Sequence, residues 1–155
     1  MLKINSKAPG LKLNSTNGSS YSLKNSAGKY VVLYFYPKDD TPGCTIEAND
    51  FNRLFTKFRK LNCVVFGISK DELKSHNKFK EKYKIKFDLL ADDELMAVKS
   101  YKVWAKKKFI GREFMGVIRS TFLIGPEGQI IKIWENVKVK DHAKEVLDML
   151  KSIQK

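Results

Sequence analysis

The chain is poor in the residues that build covalent or metal-stapled scaffolds. Its 155 residues include two cysteines, Cys44 and Cys63, too few for a disulfide framework. The two histidines, His76 and His142, fall on polar helical stretches with no cysteine or carboxylate at ligand spacing, so no metal site is expected. There is no repeat, no low-complexity tract and no linker, which points to a single domain spanning residues 1–155. No run approaches the ~18 consecutive apolar residues of a membrane span. The segment Met1 to Lys7 lacks the apolar core of a secretory signal, so a soluble cytoplasmic protein is expected. In that reducing compartment a permanent Cys44–Cys63 bridge is not expected, and the sequon at Asn14-Ser15-Thr16 is without consequence. Acidic residues are also scarce: 17 against 30 Lys and Arg, for a net charge of +13. Such a field attracts anions and acidic partners. The lysines are scattered, however, and no nucleic-acid module lies beneath them, so no specific nucleic-acid partner is expected.

What is present is a strongly patterned chain. Leu11-Lys12-Leu13 alternates, Asn17-Gly18 is a hairpin signal, and Tyr21-Ser22-Leu23 alternates again. Tyr30 to Tyr36 and Cys63 to Ser69 are continuous apolar runs rich in β-branched and aromatic residues, as in strands buried on both faces. Between them, Ala48, Phe51, Leu54, Phe55 and Phe58 recur at spacings of three and four, predicting an amphipathic helix over Thr45 to Leu61. A polar helix follows at Glu72 to Tyr83, a short strand at Phe87 to Leu90, and a brief helix through Tyr101. Lys106 to Arg112 reads as a surface loop. Ser120 to Ile124 and Gln129 to Trp134 flank a Gly125-Pro126-Glu127-Gly128 turn, and Asp141 to Ile153 closes as an amphipathic helix. Strand–helix–strand units imply parallel pairing and the terminal hairpin adds antiparallel strands. The expected fold is α/β and thioredoxin-like: an N-terminal β-hairpin and a mixed central sheet flanked by helices.

Cys44 is the residue on which function turns. It follows the buried strand and the loop Pro37-Lys38-Asp39-Asp40-Thr41-Pro42-Gly43, in the first turn of the predicted helix. Unpaired N–H groups and the positive end of the helix dipole favour a thiolate there. Thr41 stands three residues earlier, so its hydroxyl can reach beside the sulfur, accepting from an incoming OH and donating to the sulfur or the second oxygen. Pro37 ends the strand rigidly and walls the pocket. Gly43 allows close approach of a substrate.

Tyr34 to Glu47 resembles the peroxidatic motif of the peroxiredoxins, and Thr41-Pro42-Gly43-Cys44-Thr45 is similar to their bacterioferritin comigratory protein (peroxiredoxin Q) branch. Phe114 to Ile124 resembles the stretch that carries that family's active-site arginine, here Arg119. The resemblance implies that Cys44 attacks hydrogen peroxide or an alkyl hydroperoxide and becomes a sulfenic acid. It implies that Arg119 stabilises the thiolate and the leaving oxygen. Glu47 matches a carboxylate of this branch that either pairs with Arg119 or favours the helix N-terminus. No cofactor is implied, a monomer is the expected state, and thioredoxin, glutaredoxin or glutathione is the expected reductant. Trp104 is expected at the pocket rim or in the core, and Trp134 in packing.

The sequence departs from the branch at Asn49, where many members carry a resolving cysteine. Cys63, at the start of a buried strand, is a weak candidate for that role and reads first as a small hydrophobe. A one-cysteine enzyme is therefore expected. A thiol–disulfide oxidoreductase on the same fold would use Cys-x-x-Cys, but residue 47 is Glu. A basic non-catalytic binding or holdase protein would not need Thr41, Cys44 and Arg119 together.

Overall fold

The computed structural model describes residues 2–154; Met1 and Lys155, the ends of the expected 1–155 domain, lie outside the described residues. The elements run β1 (Lys12–Ser15), β2 (Ser20–Ser22), a short 3-10 turn (Leu23–Ser26), β3 (Tyr30–Phe35), α1 (Pro42–Lys60), β4 (Cys63–Ser69) and α2 (Leu73–Tyr83). They continue with β5 (Asp88–Ala91), α3 (Met96–Ser100), β6 (Trp104–Phe109), β7 (Arg112–Val117), β8 (Ser120–Ile124), β9 (Ile130–Trp134) and α4 (His142–Ile153).

Seven strands form one mixed sheet in the order β2-β1-β5-β4-β3-β8-β9. β3, β4 and β5 are parallel, joined through α1 and α2, whereas β8 runs antiparallel to β3 and β1 antiparallel to β5. The N-terminal hairpin forms as its Asn17-Gly18 signal predicts, with Gly18 at φ +90. This is the thioredoxin-like arrangement.

β3 is buried on both faces, and its alternation divides the core in two. Val32, Tyr34 and Tyr36 point into a cluster with Phe51 and Phe58 of α1, Phe79 of α2 and Val146 and Leu150 of α4. Val31, Leu33 and Phe35 point the other way, toward Ile68, Val98, Tyr101 and Phe122. Apolar side chains on both faces make β3 the axis of the molecule, so the loop at its C-terminal end is anchored in two layers at once.

The structure corrects the sequence expectation in two places. Lys106 to Arg112 is a two-stranded hairpin, not a loop: β6 pairs antiparallel with β7 from Trp104↔Val117 to Phe109↔Arg112. Much of it is exposed on both faces, so no period-2 burial pattern marks it. Its turn is Ile110-Gly111, both at positive φ (48 and 73), as a tight two-residue hairpin requires. The second correction is the start of α1. Pro42 occupies the first helical position, where its missing N–H costs nothing, so Cys44 is the third residue of the helix.

Gly67 of β4 lies opposite Tyr34. A Cβ at Gly67 would meet the Tyr34 ring and hydroxyl at 2.8 Å and Leu89 Cδ2 at 2.9 Å. Gly67→Ala is therefore expected to destabilise the protein by about 1–3 kcal/mol through overpacking. Urea unfolding checks this, and unchanged stability would show that the contact relaxes freely.

Candidate active site

The helical stripe that fills the core also carries two of the candidate site residues, Cys44 and Glu47. Cys44, Glu47, Ala48, Phe51 and Phe58 are the buried residues of α1, at three- and four-residue spacings. Phe51 stacks on Tyr34 with ring centroids 4.7 Å apart, and this contact fixes the rotation of α1 over β3. The same rotation turns Cys44 and Glu47 inward at the N-terminal end, each about 1% exposed.

Arg119 reaches this point because of strand register. β8 runs antiparallel to β3 with Ser120 opposite Phe35, so the residue before β8 lies at the end of β3 where the loop to α1 departs. The Arg119 backbone carbonyl accepts from the Val137 N–H at 2.9 Å. Its guanidinium Nη1 donates to Glu47 Oε1 at 2.6 Å and Nη2 donates to Cys44 Sγ at 3.3 Å. Glu47 thus pairs with Arg119, which decides between the two roles left open by the sequence.

Burial pushes Glu47 up to about 7, against the downward pull of the Arg119 charge and hydrogen bond. Its Oε2 has no hydrogen-bond partner among the described residues, and neither does the buried Tyr34 hydroxyl. An unsatisfied buried oxygen costs the ionised carboxyl more than the neutral one, which acts in the same direction.

One expectation about the loop is corrected. The Thr41 hydroxyl donates its proton to the Lys38 carbonyl at 2.8 Å and not to the sulfur, because that carbonyl is the acceptor within its reach. At Gly43 a Cβ would also come within 3.2 Å of Arg119 Nη2, so the absence of a side chain there leaves room for the guanidinium. Pro37 is half-buried and directly follows Tyr36, whose N–H makes the last strand-like bond, to the Ile68 carbonyl.

The second cysteine lies at the other end of the sheet. Cys63 is opposite Tyr30, the first residue of β3, about 16 Å along the strand from Phe35 at ~3.3 Å per residue. A disulfide needs Cα atoms within about 7 Å. Burial also pushes the Cys63 thiol up to about 12, and its Sγ contacts the Val64 carbonyl at 3.5 Å. Asn49, at the position of the missing cysteine, is exposed.

The sequence reading missed several contributors. His76 and His142 are buried rather than solvated. His142 Nε2 lies 2.7 Å from Thr121 Oγ1, and burial lowers its pKa to about 4. His76 lies 2.8 Å from Asp39, overturning the expectation that no carboxylate accompanies it. With Asp71 these two offer ligand atoms within 4.8 Å of one another, but their mutual and neighbouring hydrogen bonds already occupy them. Lys107 of β6 donates to the Val117 carbonyl at 2.8 Å. Burial lowers its pKa, Arg119 acts the same way and Cys44 opposes, which places its ammonium within electrostatic reach of the sulfur. The loop residues, Glu47 and Arg119 were visible beforehand through their motifs; these partners come from separate elements and were not. Trp104 pairs with Val117 and packs against the second core cluster, and Trp134 donates to Glu145 at 2.8 Å while packing edge-on against His142.

Residues 4–133 match the AhpC/TSA family. The chain belongs to that family, as a peroxiredoxin of the Bcp type. Peroxiredoxin Bcp of Bacillus subtilis is 49% identical over 152 residues, covering 98% of this chain and 97% of that protein. The putative peroxiredoxin bcp of Helicobacter pylori strain 26695 is 46% identical over 149 residues, covering 96% and 98%. Among solved structures, a C-to-S mutant of Xylella fastidiosa PrxQ superposes with a TM-score of 0.95 at 35% identity, covering 100% of this chain and 99% of that one. The bacterioferritin comigratory protein of Xanthomonas campestris, whose structures address its alkyl peroxide reduction activity, gives 0.89 at 41% identity over 94% and 92%. As a peroxiredoxin the protein is a thiol peroxidase.

The buried carboxyl makes a pH prediction for this peroxiredoxin. Glu47 binds its proton more tightly folded than unfolded, so its contribution to stability is full below about 4.5 and is lost as pH rises through about 7. His142 works oppositely, adding stability as pH rises from about 4 toward the ordinary histidine value of 6.5. Glu47→Gln removes the first effect alone. The stability difference between this variant and the parent, from urea unfolding at a series of pH values, is expected to move in favour of the variant from about pH 4.5 to 7. A pH-independent difference would mean that Glu47 titrates alike in both states.

Proposed function

We propose that Cys44 is the peroxidatic cysteine of a one-cysteine thiol peroxidase. The observation that carries this reading is the 3.3 Å hydrogen bond from Arg119 to a cysteine at the start of α1. The Cys44 thiolate attacks the terminal oxygen of hydrogen peroxide or an alkyl hydroperoxide. An S–O bond forms, the O–O bond breaks, and its electron pair leaves on the departing oxygen, which takes the peroxide's own proton to become water or alcohol; the sulfenate left on Cys44 takes a proton from solvent to become the sulfenic acid. Arg119, permanently charged, donates to the sulfur and stabilises the leaving oxygen. Glu47 holds the guanidinium in place, and Thr41 orients the peroxide. Because the O–O bond is weak, positioning and electrostatics suffice for the chemistry.

The Cys44 sulfenic acid is then reduced by an external thiol: thioredoxin, glutaredoxin or glutathione. The position and burial of Cys63 support this, as does Asn49 in place of a nearer cysteine. The reading is of one domain over residues 1–155 working as a monomer in the reducing cytoplasm. No helix among the described residues is long and apolar enough to cross a membrane.

The test is one turnover with stoichiometric peroxide, followed by intact mass with dimedone trapping. A single oxygen is expected on Cys44, trapped equally in Cys63→Ser, and an intramolecular disulfide that disappears in Cys63→Ser would overturn the one-cysteine reading. Arg119→Ala should slow oxidation by roughly 10²–10³-fold, the usual cost of removing one preorganised donor. A rate unchanged in that variant would remove Arg119 from the mechanism.

A further inference from the structure

The Thr41 hydroxyl is aimed by a single peptide unit, and that unit is held from elsewhere in the fold. The hydroxyl donates its proton to the Lys38 carbonyl, with the oxygens 2.8 Å apart. The same Lys38–Asp39 peptide presents its N–H to Asp71 Oδ2, also at 2.8 Å. A trans peptide is planar, with N–H and C=O pointing in opposite directions, so fixing one end fixes the other. Asp71 is itself held: Oδ2 also accepts from Ser69 Oγ at 2.6 Å, and Ser69 Oγ in turn accepts the Asp71 N–H at 3.1 Å. Ser69 is fully buried at the end of β4.

The other side of the peptide is anchored by the buried Asp39 carboxylate. Its Oδ2 lies 2.8 Å from His76 Nδ1, and His76 Nε2 donates to the Leu90 carbonyl of β5 at 2.9 Å. Tyr36, the residue before Pro37, donates to Asp39 Oδ1 at 2.5 Å. The six-residue loop between β3 and α1 is thereby tied to β4, β5 and α2, and the tie converges on one carbonyl.

We propose that Asp71, with the buried Asp39–His76 pair beside it, is a positioning residue for Thr41. It directs the Lys38 carbonyl so that the Thr41 proton is engaged there and the hydroxyl oxygen is left to accept from the peroxide OH. This rests on the reading of Thr41 as the residue that orients peroxide. Asp71 touches neither the sulfur nor the substrate; its effect is transmitted through the peptide and one hydroxyl. The consequence is selective: peroxide oxidation of Cys44 depends on Asp71, whereas attack of the same sulfur on an alkylating agent, which needs no oriented OH, does not.

The experiment compares two second-order rates in the full-length protein, both read by rapid-quench intact mass: oxidation of Cys44 by hydrogen peroxide and its alkylation by iodoacetamide. Asp71→Ala is expected to lower the peroxide rate about tenfold and to leave alkylation within about twofold, the scale set by small misplacements of an orienting group. Asp71→Asn keeps an acceptor oxygen for the peptide N–H and restores most of the peroxide rate. Thr41→Val is expected to be slow toward peroxide, and Thr41→Val/Asp71→Ala no slower than Thr41→Val alone, because both changes act through one hydroxyl. A full-rate Asp71→Ala beside a slow Thr41→Val overturns the role of Asp71 only. So do additive losses, or a parallel fall in alkylation. A full-rate Thr41→Val overturns the reading of Thr41 itself, and the inference with it.

Discussion

One guanidinium fixes the geometry on which the site depends. Arg119 donates to Glu47 through one nitrogen and to Cys44 through the other. A single planar fork can do this only because the two acceptors are three residues apart on a helix and so share a face. That face is the core-packing stripe of α1, whose angle over the sheet is set by Phe51 against Tyr34. The fork arrives from the other side because β8 begins where β3 ends. Site geometry and core packing are therefore the same constraint. A change in how α1 seats on β3 moves Cys44 and Glu47 together relative to a group held on β8.

The arrangement carries a cost that locates its purpose. Glu47 is buried, shifted upward, and leaves one oxygen without a partner. A buried charge pair seldom stabilises a fold more than apolar residues of equal volume would. Here the carboxyl does something that a leucine could not: it holds a guanidinium against a sulfur inside the protein. Gly43 fits the same logic, giving up a side chain where one would press on Arg119 at 3.2 Å.

The fold was legible because its central strands announce themselves. Tyr30 to Tyr36 and Cys63 to Ser69 are buried on nearly every residue, and apolar continuity survives in a one-dimensional reading. The β6–β7 hairpin was not legible, since residues exposed on both faces have no hydrophobic period to betray a strand; only Ile110-Gly111 hinted at its turn. In the site, Cys44, Thr41, Pro37 and Gly43 were visible because the loop keeps them within eight residues, and Arg119 because of its motif. The partners of His76 were invisible for the opposite reason. Asp39 and His76 are separated by 37 positions and meet only after β4 has been placed beside β3. The Thr41 hydroxyl was pictured beside the sulfur because spacing conveys distance along the chain, not which of two nearby acceptors a proton chooses.

The two cysteines show how the same burial leads to different chemistry. Each is about 1% exposed and each belongs to the same core cluster. Around Cys63 burial outweighs a backbone hydrogen bond with Val32 and keeps the thiol neutral. Around Cys44 it meets a cation and the start of a helix. Burial alone therefore does not set the surroundings of a cysteine: the difference is the cation that the register of β8 against β3 brings to one of the two sulfurs.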